Sequence, residues 1–193
     1  MNTLIVVSHP DQTSFSHAWA RRHEQMLVAD QANIVDFVDL HQEQFNPAMG
    51  AADLNAYRTG AAVATDVAAM QQRLSRADEW VLVSPIYWWG LPAMLKGWLD
   101  RVLTRGFAYE DQDQEQPLRG LLQDKKVSVL LHGAVDEATF RKYGYDELLV
   151  TQLQLGVFGY CGVDNVHLDF VYGTERADFD GARVLATRYG PSH

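Results

Sequence analysis

Three short stretches hold the residues whose types and spacing could do chemistry. The first is Ser8-His9-Pro10, followed by Thr13, Ser14, Phe15 and Ser16. Hydroxyls gathered at a helix start suit an anion, because the first turn leaves N–H groups unpaired and the helix dipole favours negative charge. The plainer alternative is that Thr13 or Ser14 only caps the helix, with His9 fixing the loop as a structural donor. The second stretch is Pro85-Ile86-Tyr87-Trp88-Trp89-Gly90. Three adjacent rings in a loop have little core to enter. Either they fold back onto the protein or into a dimer interface, or they form a platform for a planar ligand. The third is His132-Gly133-Ala134, a glycine-containing turn. No P-loop or G-x-G-x-x-G pattern occurs, so ATP and Rossmann-type dinucleotide binding lose support. The seven His are scattered without H-E-x-x-H, and neither C-x-x-C nor G-x-S-x-G is present. Metal hydrolases and serine-hydrolase elbows are therefore set aside.

The elements around these stretches must position them. The compact apolar run at 4–7 is typical of a strand covered on both faces. Further strands are expected at 34–38, 79–84, 126–131 and 163–171. A helix starts after the first loop, with Phe15, Ala18, Trp19 and Met26 on its apolar face. The region 41–60 reads as irregular, with a turn at Phe45-Asn46-Pro47. A helix at 61–74 carries Val63, Val67, Met70 and Leu74 at helical spacing. Pro92 suits the first turn of the next helix. There Leu91, Leu95, Trp98, Leu99, Val102 and Leu103 mark the buried face, Lys96 and Asp100 the wet side, and Gly106 a stop. Two more helices are expected, at 146–158, ended by Gly159 or Gly162, and at 177–189. The acidic, Gln-rich run 110–115 reads as a solvated loop.

Five strands alternating with helices predict an α/β fold, a parallel sheet with right-handed crossovers and helices on both faces. The expected order is 2-1-3-4-5, flavodoxin-like, in a single domain over 1–193. The three stretches then meet at the carboxyl edge, where open α/β sheets bind ligands. One supplies hydroxyls, one aromatics and one a tight turn. A phosphate with a planar ring attached satisfies all three, and FMN has that shape.

Bulk properties narrow the class. The net charge of -9 argues against a nucleic-acid partner. No apolar run approaches a bilayer span, and the N-terminus lacks a basic region and a cleavage site. The single Cys161 excludes an internal disulfide and fits a reducing compartment, so a cytoplasmic protein is expected.

The block from Pro85 to Val102, reading Tyr87-Trp88-Trp89-Gly90-Leu91-Pro92-Ala93-Met94-Leu95-Lys96-Gly97-Trp98-Leu99-Asp100-Arg101 within it, is specific, as is its continuation Gly106-Phe107-Ala108-Tyr109. With Ser8-His9-Pro10 and Ser14-Phe15-Ser16, it resembles the flavodoxin-like NAD(P)H:quinone oxidoreductases, including small bacterial members ancillary to glutathione-gated potassium efflux systems. The resemblance implies FMN rather than FAD, held at its phosphate by His9, Ser14, Phe15 and Ser16. It implies that Pro85, Ile86, Tyr87, Trp88 and Trp89 run along the ribityl chain and ring, and that His132, Gly133 and Ala134 meet the pyrimidine edge. The third loop departs from the pattern. Many relatives read T-T-G-G there, whereas this chain has His132-Gly133-Ala134-Val135 and lacks the second glycine and the hydroxyls. By spacing, Tyr143-Gly144 falls near the family's His-Gly, which makes Tyr143 the candidate for orienting substrate and Tyr145 the next; both also read as surface tyrosines at a helix start.

The chemistry implied is ping-pong. NADPH or NADH passes a hydride to the flavin and leaves, and a quinone takes its place. No metal and no acid, base or nucleophile are required. A homodimer with the site at its interface is implied as well, in which Trp88 and Trp89 serve both ligand and partner. Two other classes stay open: a one-electron flavodoxin-type carrier, and a regulatory subunit peripherally associated with a membrane potassium efflux protein.

Overall fold

The computed structural model describes residues 1–111 and 118–190. Most of the expected acidic loop at 110–115 therefore lies outside the described residues. The chain begins β1 (Asn2–Val7), α1 (Phe15–Val28), β2 (Ile34–Asp39), α2 (Ala51–Thr59), α3 (Thr65–Arg76), β3 (Glu79–Pro85) and α4 (Ala93–Val102). A small antiparallel pair follows, β4 (Tyr109–Glu110) and β5 (Arg119–Gly120). Then come β6 (Lys126–His132), α5 (Glu137–Tyr143), α6 (Tyr145–Val150), a π-helix (Thr151–Gly159), β7 (Asn165–Val171) and α7 (Gly181–Tyr189).

Five parallel strands form one sheet in the order β2-β1-β3-β6-β7, which is the expected 2-1-3-4-5. Successive side chains of a strand point to opposite faces, so each strand feeds two cores. Leu4 and Val6 enter the layer under α3, α4 and the α6–π-helix run. Ile5 and Val7 enter the layer under α1 and α7. The register aligns the strand ends: Val7 pairs with Asp39 and Val83, and His132 pairs with Pro85 and Val171. Every loop leaving this rim therefore starts at about the same level.

Helix α4 follows the aromatic loop and is held firmly. Its Arg101, only 5% exposed, bonds Asp53 of α2, Asp66 of α3 and the Asn46 carbonyl. Gly97 lets the Pro47 backbone come close, since a Cβ there would lie 2.2 Å from the Pro47 oxygen.

Three expectations need correction. First, the region 41–60 contains α2. It was invisible to periodicity because only Ala56 of it is buried, and its ends are set by polar and backbone chemistry. Asp53 accepts the Gly50 N–H at 2.8 Å, and Gly60 closes the helix at φ +72°. Second, the inner face of α1 carries Ser16, His17, Trp19, Ala20 and Leu27, while Ala18 and Met26 are exposed. Two polar residues are turned inward to make hydrogen bonds, which an apolar pattern does not register. Third, the helix expected at 146–158 starts at Tyr145 and widens into a π-helix from Thr151. A separate α5 precedes it, divided from it by Gly144 at φ +67°.

Candidate active site

The first loop is shaped by its own polar groups. Asp11 Oδ1 accepts both the N–H and the hydroxyl proton of Thr13, each at 2.8 Å. These donors hold the Asp11 carboxyl below its ordinary range. His9 Nδ1 lies 3.0 Å from the Asp11 nitrogen, and burial lowers the His9 pKa despite its contact with the Asp11 backbone. Ser14 is the N-cap of α1 and accepts the His17 N–H, so the capping role is real. The cap leaves something over. Among the described residues, neither the Phe15 nor the Ser16 N–H has an acceptor. Two donors thus stand open at the positive end of a helix.

The second loop is a tight reversal in which Tyr87 and Gly90 exchange backbone hydrogen bonds at 3.0 Å in both directions. Trp88 and Trp89 occupy its two central positions at φ +48° and +62°. Such a turn wants glycine or asparagine there. A bulky residue in the left-handed region costs on the order of 1 kcal/mol or more. Trp89 recovers that cost by stacking on Tyr145 at 3.8 Å and meeting Phe140 edge-on. Trp88 has no ring partner among the described residues and is 95% exposed.

The third loop is joined to the first and second. The Ile86 N–H donates to the His132 carbonyl. His132 Nε2 lies 2.7 Å from Ser16 Oγ, and Nδ1 lies 3.3 Å from Thr174 Oγ1. Thr174 gives its only hydroxyl proton to the Gly133 carbonyl, so it accepts from Nδ1–H, and Nε2 accepts from Ser16. Burial pushes the His132 pKa down to about 4, which keeps this ring neutral. Gly133 donates its N–H to the Val171 carbonyl, and a Cβ on it would meet the Phe140 ring at 2.8 Å. The glycine is therefore required by packing. The N–H groups of Ala134 and Val135 have no acceptor among the described residues.

Together the loops enclose a cleft of about 840 Å³ at the carboxyl rim. It brings together His9, Ser14, Phe15, Pro85, Ile86, Tyr87, Trp88, His132 and Ala134, as the sequence led one to expect. It does not bring all of them. Ser16 is fully buried and serves His132. Trp89 and Gly133 line a smaller pocket behind, beside Phe140. Tyr143 does not line the cleft; it lines a separate open groove with Trp89 and Glu147. Sequence reasoning missed Asp11, Thr174 and Glu175, which also line the cleft. The last two follow β7, and the rule that strand ends carry the site would have found them. Among the described residues the cleft wall contains no Lys or Arg.

A family model described as a flavodoxin-like fold matches residues 1–188. A relative from Haemophilus influenzae named as an NAD(P)H oxidoreductase is 35% identical over 170 residues, covering 88% of this chain and 82% of its own. NAD(P)H dehydrogenase [quinone] 1 of Rattus norvegicus is 29% identical, covering 88% and 68%. Among solved structures, an NAD(P)H:quinone oxidoreductase from Methanothermobacter marburgensis superposes with a TM-score of 0.85 at 26% identity, over 98% of this chain and 93% of that one. The order of the sheet, the position of the cleft and these matches agree: the chain belongs to the flavodoxin-like family of NAD(P)H:quinone oxidoreductases.

Proposed function

We propose that this protein is an FMN-dependent enzyme that carries two electrons, as a hydride, from NADPH or NADH to a quinone. One observation carries the reading. A strained turn holds Trp88 almost wholly in solvent at the rim of a cleft, and the same cleft is lined by Phe15, whose N–H is unpaired at the start of α1. Strain that persists without an internal return points to a ligand-facing role. The donor set fits FMN. The Phe15 and Ser16 N–H groups, with His9 and Ser14, would take the phosphate. Pro85, Ile86, Tyr87 and Trp88 would flank the ribityl chain and ring, and the third loop offers the Ala134 N–H where the Gly133 N–H is spent. The volume lies within the usual range for ligand clefts.

When bound, FMN supplies the hydride chemistry, and the protein supplies position and field. Trp88 and Tyr87 limit where a planar partner can lie, which raises the fraction of close encounters that are productive. Neutral His132 ties the first and third loops to Thr174, after β7, without adding charge. Open N–H groups favour negative charge gathered near them. Reductant and acceptor would enter the open side of the cleft beside Trp88 in turn, which is the ping-pong order. A second copy of the chain completes the site, and Tyr143 would act across that interface. The relatives reported above lend no support to association with a potassium efflux protein. Among the described residues no helix is long and apolar enough to cross a membrane.

The test is a visible spectrum of the purified protein, then NADPH added without oxygen. A yellow protein that bleaches, and recovers its colour with a quinone, is the expected result. A one-electron carrier would bleach slowly and build up a stable semiquinone. A colourless protein that cannot be reconstituted with FMN would remove the proposal.

A further inference from the structure

Ser14, His17 and Asp39 form a hydrogen-bonded chain that ends in the cleft. Ser14 Oγ lies 3.0 Å from His17 Nδ1, and His17 Nε2 lies 2.8 Å from Asp39 Oδ2. His17 and Asp39 are buried, whereas Ser14 lines the cleft. A carboxylate only accepts, so Nε2 carries a proton. In the neutral ring Nδ1 is then an acceptor, and Ser14 must give it the only hydroxyl proton it has. Ser14 is left with nothing to donate. An anion brought to the open N–H groups of Phe15 and Ser16 would meet an oxygen lone pair where a donor is needed.

One added proton resolves the conflict. With Nδ1 protonated, the ring donates to Ser14 Oγ, and the hydroxyl proton is released toward the anion. Asp39 is built to balance the imidazolium. Its other oxygen, Oδ1, already accepts the N–H groups of His41 and Gln42, which leaves Oδ2 for His17. Burial pushes the Asp39 carboxyl up, but the His17 ring and these two donors outweigh it and hold it below its ordinary value. The other groups facing His17 are His9 and Asp11 of the first loop, and His41, beyond β2, acts on His9. Asp11 favours a charged ring, a charged His9 would oppose it, and burial lowers the His9 pKa.

We propose that His17 is the positioning residue of the phosphate site, and that loading the FMN phosphate draws one proton from solvent onto His17 Nδ1 while Ser14 turns its own proton to the phosphate. No bond other than hydrogen bonds changes, and the proton comes from water or buffer. The inference rests on reading this cleft as an FMN site.

The experiment titrates the full chain, freed of flavin, with FMN and with riboflavin between about pH 7 and 8.5, where a phosphomonoester is already a dianion. Binding is followed by flavin fluorescence. Proton uptake is read by calorimetry in buffers of different ionisation enthalpy. A linked proton predicts an FMN Kd that rises with pH, by at most about tenfold per unit, a net proton uptake on binding, and a flat riboflavin profile. His17→Gln should flatten the FMN profile and weaken FMN while leaving riboflavin unchanged. Asp39→Asn, which keeps an acceptor for Nε2 but loses the charge, should move the uptake to lower pH. Tight FMN binding with a flat profile and no uptake in the unaltered chain overturns this inference and leaves the cleft assignment standing. Failure of both flavins to bind overturns both.

Discussion

At the residue scale the site is a set of local rules broken for a purpose. Trp88 holds a conformation that suits glycine, with its ring in water. Trp88→Gly removes the strain, about 1 kcal/mol, and adds a similar cost through the freer unfolded chain. Urea denaturation should therefore place the variant within about 1 kcal/mol of the parent. FMN retention should fall roughly three- to tenfold through the lost aromatic contact, read by fluorescence titration. Unchanged flavin affinity and unchanged kinetics in Trp88→Ala would count against the assignment. His132 gives a prediction in pH. Its folded pKa, about 4, lies below the ordinary 6.5, so the unfolded chain binds more protons between those values. The stability it contributes is complete above about pH 6.5 and is lost as pH falls toward 4, by up to about 3 kcal/mol. His23 and His9 are shifted the same way, chiefly by burial, and steepen the slope. His132→Asn should make the thermal midpoint fall less steeply across that window; an identical slope would show that the ring does not report its burial. These polar details were the least legible part of the sequence. Ser16 and His17 look like ordinary helix-start residues, and only the fold shows that they face inward to His132 and Asp39.

At the scale of elements, what was legible followed apolar period and punctuation. The five strands and α4 announced themselves through their apolar runs, and β3, β6, β7 and α4 also through a Pro or Gly at or near one end. Helix α2 did not, since it buries almost nothing and is held through Asp53 and Arg101. The aromatic loop depends on the precision of α4 behind it, which rests on the close passage at Gly97. Gly97→Ala would place a methyl against the Pro47 backbone, where no flexible side chain can yield. A loss of roughly 2 kcal/mol or more is expected, measured by urea denaturation, with weaker FMN binding following from the displaced second loop. If stability and flavin affinity both stay at the parent values, α4 is not the rigid support proposed.

At the scale of the whole molecule the chain leaves apolar surface uncovered beside its site. Leu148 and Leu155 are 57% and 68% exposed on the α6–π-helix run, and Tyr143, at 58%, shares an open groove with Trp89 and Leu148. Large apolar groups clustered near a cleft mark a contact surface more often than a free one. The change from α- to π-geometry after Val150 matters here. It lets Leu149, Leu153 and Phe158 stay buried while Leu148 and Leu155 face outward, so one helical run serves two surfaces. The sequence showed the leucines but not this division, because a periodicity of 3.6 does not describe a π-helix. A second copy seated on this surface would bring its own groups toward Trp88 and give Tyr143 a partner cleft. With a second copy on this surface, the parent chain should sediment as a dimer and Leu148→Glu with Leu155→Glu as a folded monomer. The same variant should hold FMN more weakly and turn over quinone at least roughly tenfold more slowly, because each site would lose the wall that the second copy is proposed to supply. A parent chain that is monomeric at micromolar concentration yet fully active would show that the cleft is complete in one copy, and Trp88 would then have to meet its ligand alone.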